Sequence, residues 1–132
     1  MAKVLVIDDD PGFRRMIRMI LARMHHDVIE ARDGNEGVDR FKAEHPDLVI
    51  SDIVMPDKEG IQTILEIRAL APDARIIAMS GGGVSLGTGY LGAALKLGAN
   101  LVLSKPFRPA ELTAMVEQLL PADIGPDVPS SA

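Results

Sequence analysis

Five short apolar runs, at 4–7, 28–31, 48–51, 75–79 and 101–103, alternate with segments of helical period, and this alternation limits the fold more than any other feature of the chain. Four of the runs are nearly continuous hydrophobic stretches, the pattern of strands buried on both faces. After the first run, Phe13, Met16, Ile17, Ile20, Leu21 and Met24 follow the spacing i, i+3, i+4, i+7, i+8, i+11 and form one apolar stripe. Leu112, Met115, Val116, Leu119 and Leu120 repeat that stripe in the last segment, and Ile61, Ile64 and Leu65 share a face of 61–70. Periodicity is weaker in 35–45, with Val38 and Phe41, and in 88–97, with Leu91, Ala94 and Leu95. Helix starts are marked by Asp10 before Pro11, by Asp33 with Glu36 three residues on, and by Pro109. Strands joined by helices of this length imply right-handed parallel crossovers. The expected fold class is α/β: a doubly wound, five-stranded parallel sheet covered on both sides.

With 132 residues the chain is read as one domain over 1–120. Residues 121–132, rich in Pro, Gly and Ser and without periodicity, are read as a flexible tail. Fourteen basic against nineteen acidic residues give a net charge of −5, which disfavours direct binding of nucleic acid through the bulk field. The absence of cysteine excludes disulfides, thiolate zinc and a cysteine nucleophile. No apolar run approaches the length of a membrane span, and the first run meets three aspartates at once, unlike a signal peptide. A cytoplasmic location without membrane insertion is expected.

In an open parallel sheet, ligands bind beyond the carboxyl ends of the strands. The first run ends in Asp8, Asp9 and Asp10; the third in Ser51 and Asp52; the fourth in Ser80 and Gly81; the fifth in Ser104, Lys105 and Pro106. Acids, a hydroxyl and a lysine therefore gather at one rim. Ionised carboxylates crowded together need a cation, and oxygen-only donors favour a hard divalent ion such as Mg2+ (or Mn2+), which shares its shell with phosphate oxygens. Lys105 suits a phosphoryl oxygen, Ser80 offers a donor, and a carboxylate can act as nucleophile toward phosphorus. The chemistry suggested is phosphoryl transfer to one aspartate. Simpler readings stand beside it: Asp10 is better explained as a helix cap, Asp57 and Glu59 as solvated loop charges, and His25, His26 and His45 as surface or turn residues. The group Arg14, Arg15, Arg18 and Arg23 reads as a solvated helix face, and the seven methionines as core filling.

Ile-Asp-Asp-Asp at 7–10, Asp-Ile-Val-Met-Pro from 52 with Gly60, Met79-Ser80-Gly81 and Lys105-Pro106-Phe107 together resemble the receiver domain of bacterial two-component response regulators, single-domain and chemotaxis-receiver-like, over residues 3–120. The resemblance implies a flavodoxin-like (βα)5 fold with strand order 2-1-3-4-5. It implies Asp52 as phosphoacceptor, Asp9 as direct Mg2+ ligand with Asp8 assisting, and the Val54 main-chain carbonyl completing the protein ligands. Ser80, Gly81 and Lys105 would bind the phosphoryl group, and the Lys105–Pro106 peptide would be cis. The donor would be a histidine kinase or histidine phosphotransfer protein, docked in part by the first helix. Phosphorylation would change affinity for a downstream protein partner, through the surface of the fourth and fifth helical segments and the fifth strand. Such a domain catalyses only its own aspartyl phosphorylation and dephosphorylation.

The chain departs from the family at Val102, where an aromatic switch residue is usual; Tyr90 is its single tyrosine. Output through the glycine-rich segment 81–89 is the expectation that follows. Apolar Val54 and Gly82 imply slow self-dephosphorylation, since neither can orient an attacking water. Two other functions compete. A constitutive interaction module with the same fold is favoured by Val102 and opposed by the intact acids, Ser80 and Lys105. A haloacid dehalogenase-type phosphatase also places aspartates after the first strand, but its Asp-x-Asp-x-Thr/Val run does not continue past the acids, where Pro11 stands.

Overall fold

The structure is a computed structural model, and it describes residues 2–53, 60–80, 95 and 98–120. In chain order its elements are β1 (Lys3–Ile7), α1 (Pro11–Arg23), β2 (Asp27–Ala31), α2 (Gly34–Glu44), β3 (Leu48–Asp52), α3 (Gly60–Leu70), β4 (Ile76–Ser80), β5 (Leu101–Ser104) and α4 (Pro109–Leu119). All five strands pair in parallel in the order β2-β1-β3-β4-β5. The doubly wound sheet expected from the sequence is therefore present, with its strands within a residue or two of the apolar runs.

Alternation along the strands splits the core in two. Val4, Val6, Leu48, Ile50, Ile77, Met79 and Leu103 pack under α1 and α4, against Ile17, Ile20, Leu21, Leu112 and Val116. Leu5, Ile7, Val49, Ile76 and Ala78 pack on the other face, against Val38 and Phe41 of α2 and Ile64 and Ile67 of α3. Each strand thus supplies apolar side chains to both sides, which is why the runs are continuous rather than alternating. Gly37 of α2 rests on Ile7: a Cβ there would collide with the Ile7 side chain, so the helix approaches the sheet only because this position carries none.

The helix caps follow the sequence with one change. The Asp10 carboxylate accepts from Gly12 N at 2.9 Å and Phe13 N at 3.3 Å, and Pro11 opens α1. Asp33 accepts from Glu36 N at 2.8 Å, while the Glu36 carboxylate reaches one residue beyond the cap, to Arg32 N at 2.8 Å. At α4, Arg108 N donates to Glu111 at 2.8 Å.

Some apolar expectations fail. Met16 and Met19 of α1 are exposed, as is Leu65 of α3, whereas Thr63 and Ile67 of α3 are buried. A helix lying on a sheet covers a limited arc of its circumference, so residues at the margin of a stripe stay in water. Of the segment 88–97, only Leu95 is described, and it is exposed. The tail 121–132 lies outside the described residues.

Candidate functional site

The strand ladder carries directly into the acidic rim. Asp8 N donates to Ala31 O at 3.0 Å, Ile53 N to Met79 O at 2.9 Å and Lys105 N to Ser80 O at 2.7 Å. The register pairs Ile7 with Ser51, so Asp8 and Asp52 end adjacent strands side by side. Parity does the rest: Asp8 continues the Val4 and Val6 side of β1, Asp52 the Leu48 and Ile50 side of β3, and Lys105 the Leu101 and Leu103 side of β5. All three side chains therefore leave the sheet on the face covered by α1 and α4.

There the Lys105 ammonium bridges the two acids, donating to Asp8 Oδ2 at 2.8 Å and to Asp52 Oδ2 at 3.1 Å. The Asp8 carboxylate is fully buried and also accepts from Asp10 N at 3.0 Å. Asp9 is exposed, yet Asp8, Asp9 and Asp52 each offer a carboxylate oxygen within 4.8 Å of the others. Burial pushes the Asp8 carboxyl above its ordinary value, against the opposing hydrogen bond from Lys105, and the Asp52 charge adds to the rise. Burial pulls Lys105 down, but its hydrogen bond to Asp8 and the charge of Asp52 outweigh this and hold the ammonium above its usual pKa. An oxygen-only donor set of this size suits a hard divalent cation.

Ser80 is buried at the end of β4, and its link to Lys105 is the main-chain bond above. The Lys105–Pro106 peptide is cis, as the resemblance implies. Val102 is partly buried and packs on the α2/α3 side of the core. Val54, Gly81, Gly82, Tyr90 and the rest of 81–89 lie outside the described residues. Asp10 caps α1, as the sequence implies.

Two contributions were not visible in the sequence. Arg14, read as solvated, donates to the Asp8 carbonyl at 2.6 Å and to Glu30 at 3.0 Å, and Glu30 also accepts from Arg18 at 2.9 Å. Burial would raise Glu30, but these two arginine contacts prevail and hold its carboxyl below the ordinary value. Phe13, read as part of the α1 stripe, places its ring under Lys105, with Nζ 4.0 Å from the ring centroid. Each signal depends on a partner in another element, which helical spacing does not reveal.

Among the described residues no helix is long and apolar enough to cross a membrane. Residues 4–117 match the sequence profile of the response regulator receiver domain. A probable transcriptional regulator, ycf27, of Porphyridium aerugineum is 38% identical over 120 residues, covering 89% of this chain and 48% of the relative. The chain thus spans about half the length of that protein. The chemotaxis protein CheY of Thermotoga maritima is 34% identical over 118 residues, covering 89% of this chain and 96% of the relative. A crystal structure of the response regulator protein TrrA of Thermotoga maritima, in complex with Mg2+–BeF, superposes with a TM-score of 0.80 at 32% identity, covering 91% of this chain and all of that one.

Proposed function

The chain belongs to the response regulator receiver domain family of phosphorylation-controlled two-component signalling, and on that footing we propose that Asp52 is its phosphoacceptor. The observation that carries this reading is the Lys105 ammonium set between Asp8 and Asp52 at the end of the sheet. A carboxylate oxygen of Asp52 attacks the phosphorus of a phosphohistidine, on a histidine kinase or phosphotransfer protein, or of a small acyl phosphate. The new P–O bond forms as the bond from phosphorus to the donor nitrogen or oxygen breaks, and the leaving group keeps the electron pair. Lys105, the Ser80 hydroxyl and the Gly81 N–H bind the oxygens of the transferred group.

Asp9, exposed, with Asp8 beside it, Asp52 and the Val54 carbonyl would hold Mg2+ or Mn2+. The cation supplies the positive charge that lets phosphoryl and carboxylate oxygens crowd together. The residues of the chain do the positioning, which together with electrostatic stabilisation is most of catalysis in phosphoryl transfer. The domain turns over no external substrate; its product is its own phosphorylated state, whose surface near β5 and α4 changes affinity for a downstream protein partner in the cytoplasm.

Intact mass after acetyl phosphate, with and without Mg2+ and beside Asp52→Asn, tests the assignment. One Mg2+-dependent phosphoryl adduct, lost in the variant, is expected. An adduct that persists in Asp52→Asn moves the acceptor elsewhere. No adduct from either acetyl phosphate or a phosphorylated phosphotransfer protein favours the constitutive interaction module, which Val102, standing where an aromatic switch residue is usual, supports.

A further inference from the structure

Lys105 is held on three sides, and only two of them are acids. Besides Asp8 at 2.8 Å and Asp52 at 3.1 Å, its Nζ lies 4.0 Å from the centroid of the Phe13 ring. Phe107 meets that ring at 5.4 Å between centroids with the planes at 84°, the edge-to-face geometry aromatic pairs prefer. The whole chain has three phenylalanines, one tyrosine and no tryptophan, so two of its four aromatic side chains make up this pair, with the ammonium on the ring of Phe13. The Phe13 backbone is anchored as well, its N–H donating to the Asp10 carboxylate in the first turn of α1.

We propose that Phe13, braced by Phe107, is a positioning residue for Lys105, holding the ammonium beside Asp52 when the carboxylates are engaged elsewhere. The proposal rests on the reading of Asp52 as phosphoacceptor and deepens it. Asp8 and Asp52 are the same groups a divalent cation claims, and a cation so placed repels the ammonium. Both acid contacts therefore weaken at the moment the lysine is needed. A ring face is no ligand for a hard cation, so its attraction for the ammonium remains. With the Lys105 side chain 17% exposed, that attraction acts largely out of water, where it is stronger. The alternative is that Phe13 merely fills the upper end of the core under α1, where it also packs.

Phe13→Leu keeps the apolar bulk and removes the ring face, and Phe13→Tyr restores the face. Three quantities separate the alternatives: the Mg2+ dissociation constant, the affinity for fluoroberyllate in saturating Mg2+, and solvent exchange of the Lys105 ammonium protons by NMR. Phe13→Leu is expected to leave Mg2+ affinity within about twofold, weaken fluoroberyllate by about five- to thirty-fold and speed ammonium exchange. Phe13→Tyr should return the last two toward the wild-type values. Unchanged exchange in Phe13→Leu, or Mg2+ and fluoroberyllate weakened in parallel, overturns the proposal in favour of simple core filling. If the wild-type protein binds no fluoroberyllate, the phosphoacceptor reading fails by itself, and ammonium exchange alone decides the role of Phe13. Should Phe13→Leu not fold, Phe13→Met, also unbranched at Cβ and flexible enough to fill the gap, takes its place.

Discussion

Asp8 is a fully buried carboxylate whose pKa stands above its ordinary value, chiefly because burial disfavours the charge. Between the unfolded value of about 3.9 and the raised folded value, the folded chain holds the Asp8 proton more tightly than the unfolded chain does. Stability associated with this group therefore falls as pH rises through that window and stays reduced above it. Asp8→Asn removes the penalty, so urea unfolding at pH 7 should show the variant more stable than the wild type, with the difference disappearing near pH 3.5. A variant less stable than the wild type at pH 7 would mean that the Lys105 contact outweighs desolvation. The neighbouring contact of Arg14 with the Asp8 carbonyl restrains the backbone whichever way the carboxyl titrates.

At the scale of elements, two small changes weigh local preference against packing. Alanine is the better helix former at position 37, by about 1 kcal/mol over glycine. The added Cβ would nevertheless be driven into Ile7, a fully buried side chain of β1. Gly37→Ala should therefore destabilise the domain by about 1–3 kcal/mol in chemical denaturation, as overpacking does elsewhere, and a stabilised variant would show that α2 can lift off the sheet. Asp10→Ala loses both cap bonds of α1 and should cost about 1 kcal/mol in the same measurement. The strands were legible because burial on both faces leaves continuous apolar runs, and α1 because Asp10 and Pro11 mark its start. The inner face of α3 was legible only in part: Ile61 and Ile64 lie on it as expected, but Leu65 is exposed and Thr63 is buried, and a buried threonine looks polar in any hydropathy pattern. Met16 was misassigned for the converse reason, since an apolar stripe can be wider than the groove it meets.

On the scale of the whole molecule, the acidic site exists only in the folded chain. Asp8 and Asp9 follow β1, Asp52 ends β3 and Lys105 follows β5, and the parallel register brings them to one rim. A cation that binds this arrangement and not the unfolded chain stabilises the fold by about 2.7 kcal/mol at a hundred times its dissociation constant. Thermal unfolding should accordingly shift upward by several degrees in Mg2+, and EDTA should reverse the shift. In Asp9→Asn the shift should shrink by at least half; an undiminished shift would place the cation elsewhere. The acids and Lys105 were legible because each stands directly after an apolar run, so topology alone gathers them. The ring under Lys105 was not, because α1 and β5 meet only through the tertiary fold. The bridge from Lys105 to Asp8 and Asp52 also makes the site its own salt: the lysine is a counterion that cannot diffuse away. A divalent ion entering here exchanges with a tethered charge rather than with potassium or sodium from the medium. Its affinity should therefore vary less with the salt concentration of the cell than that of an open cluster of three acids.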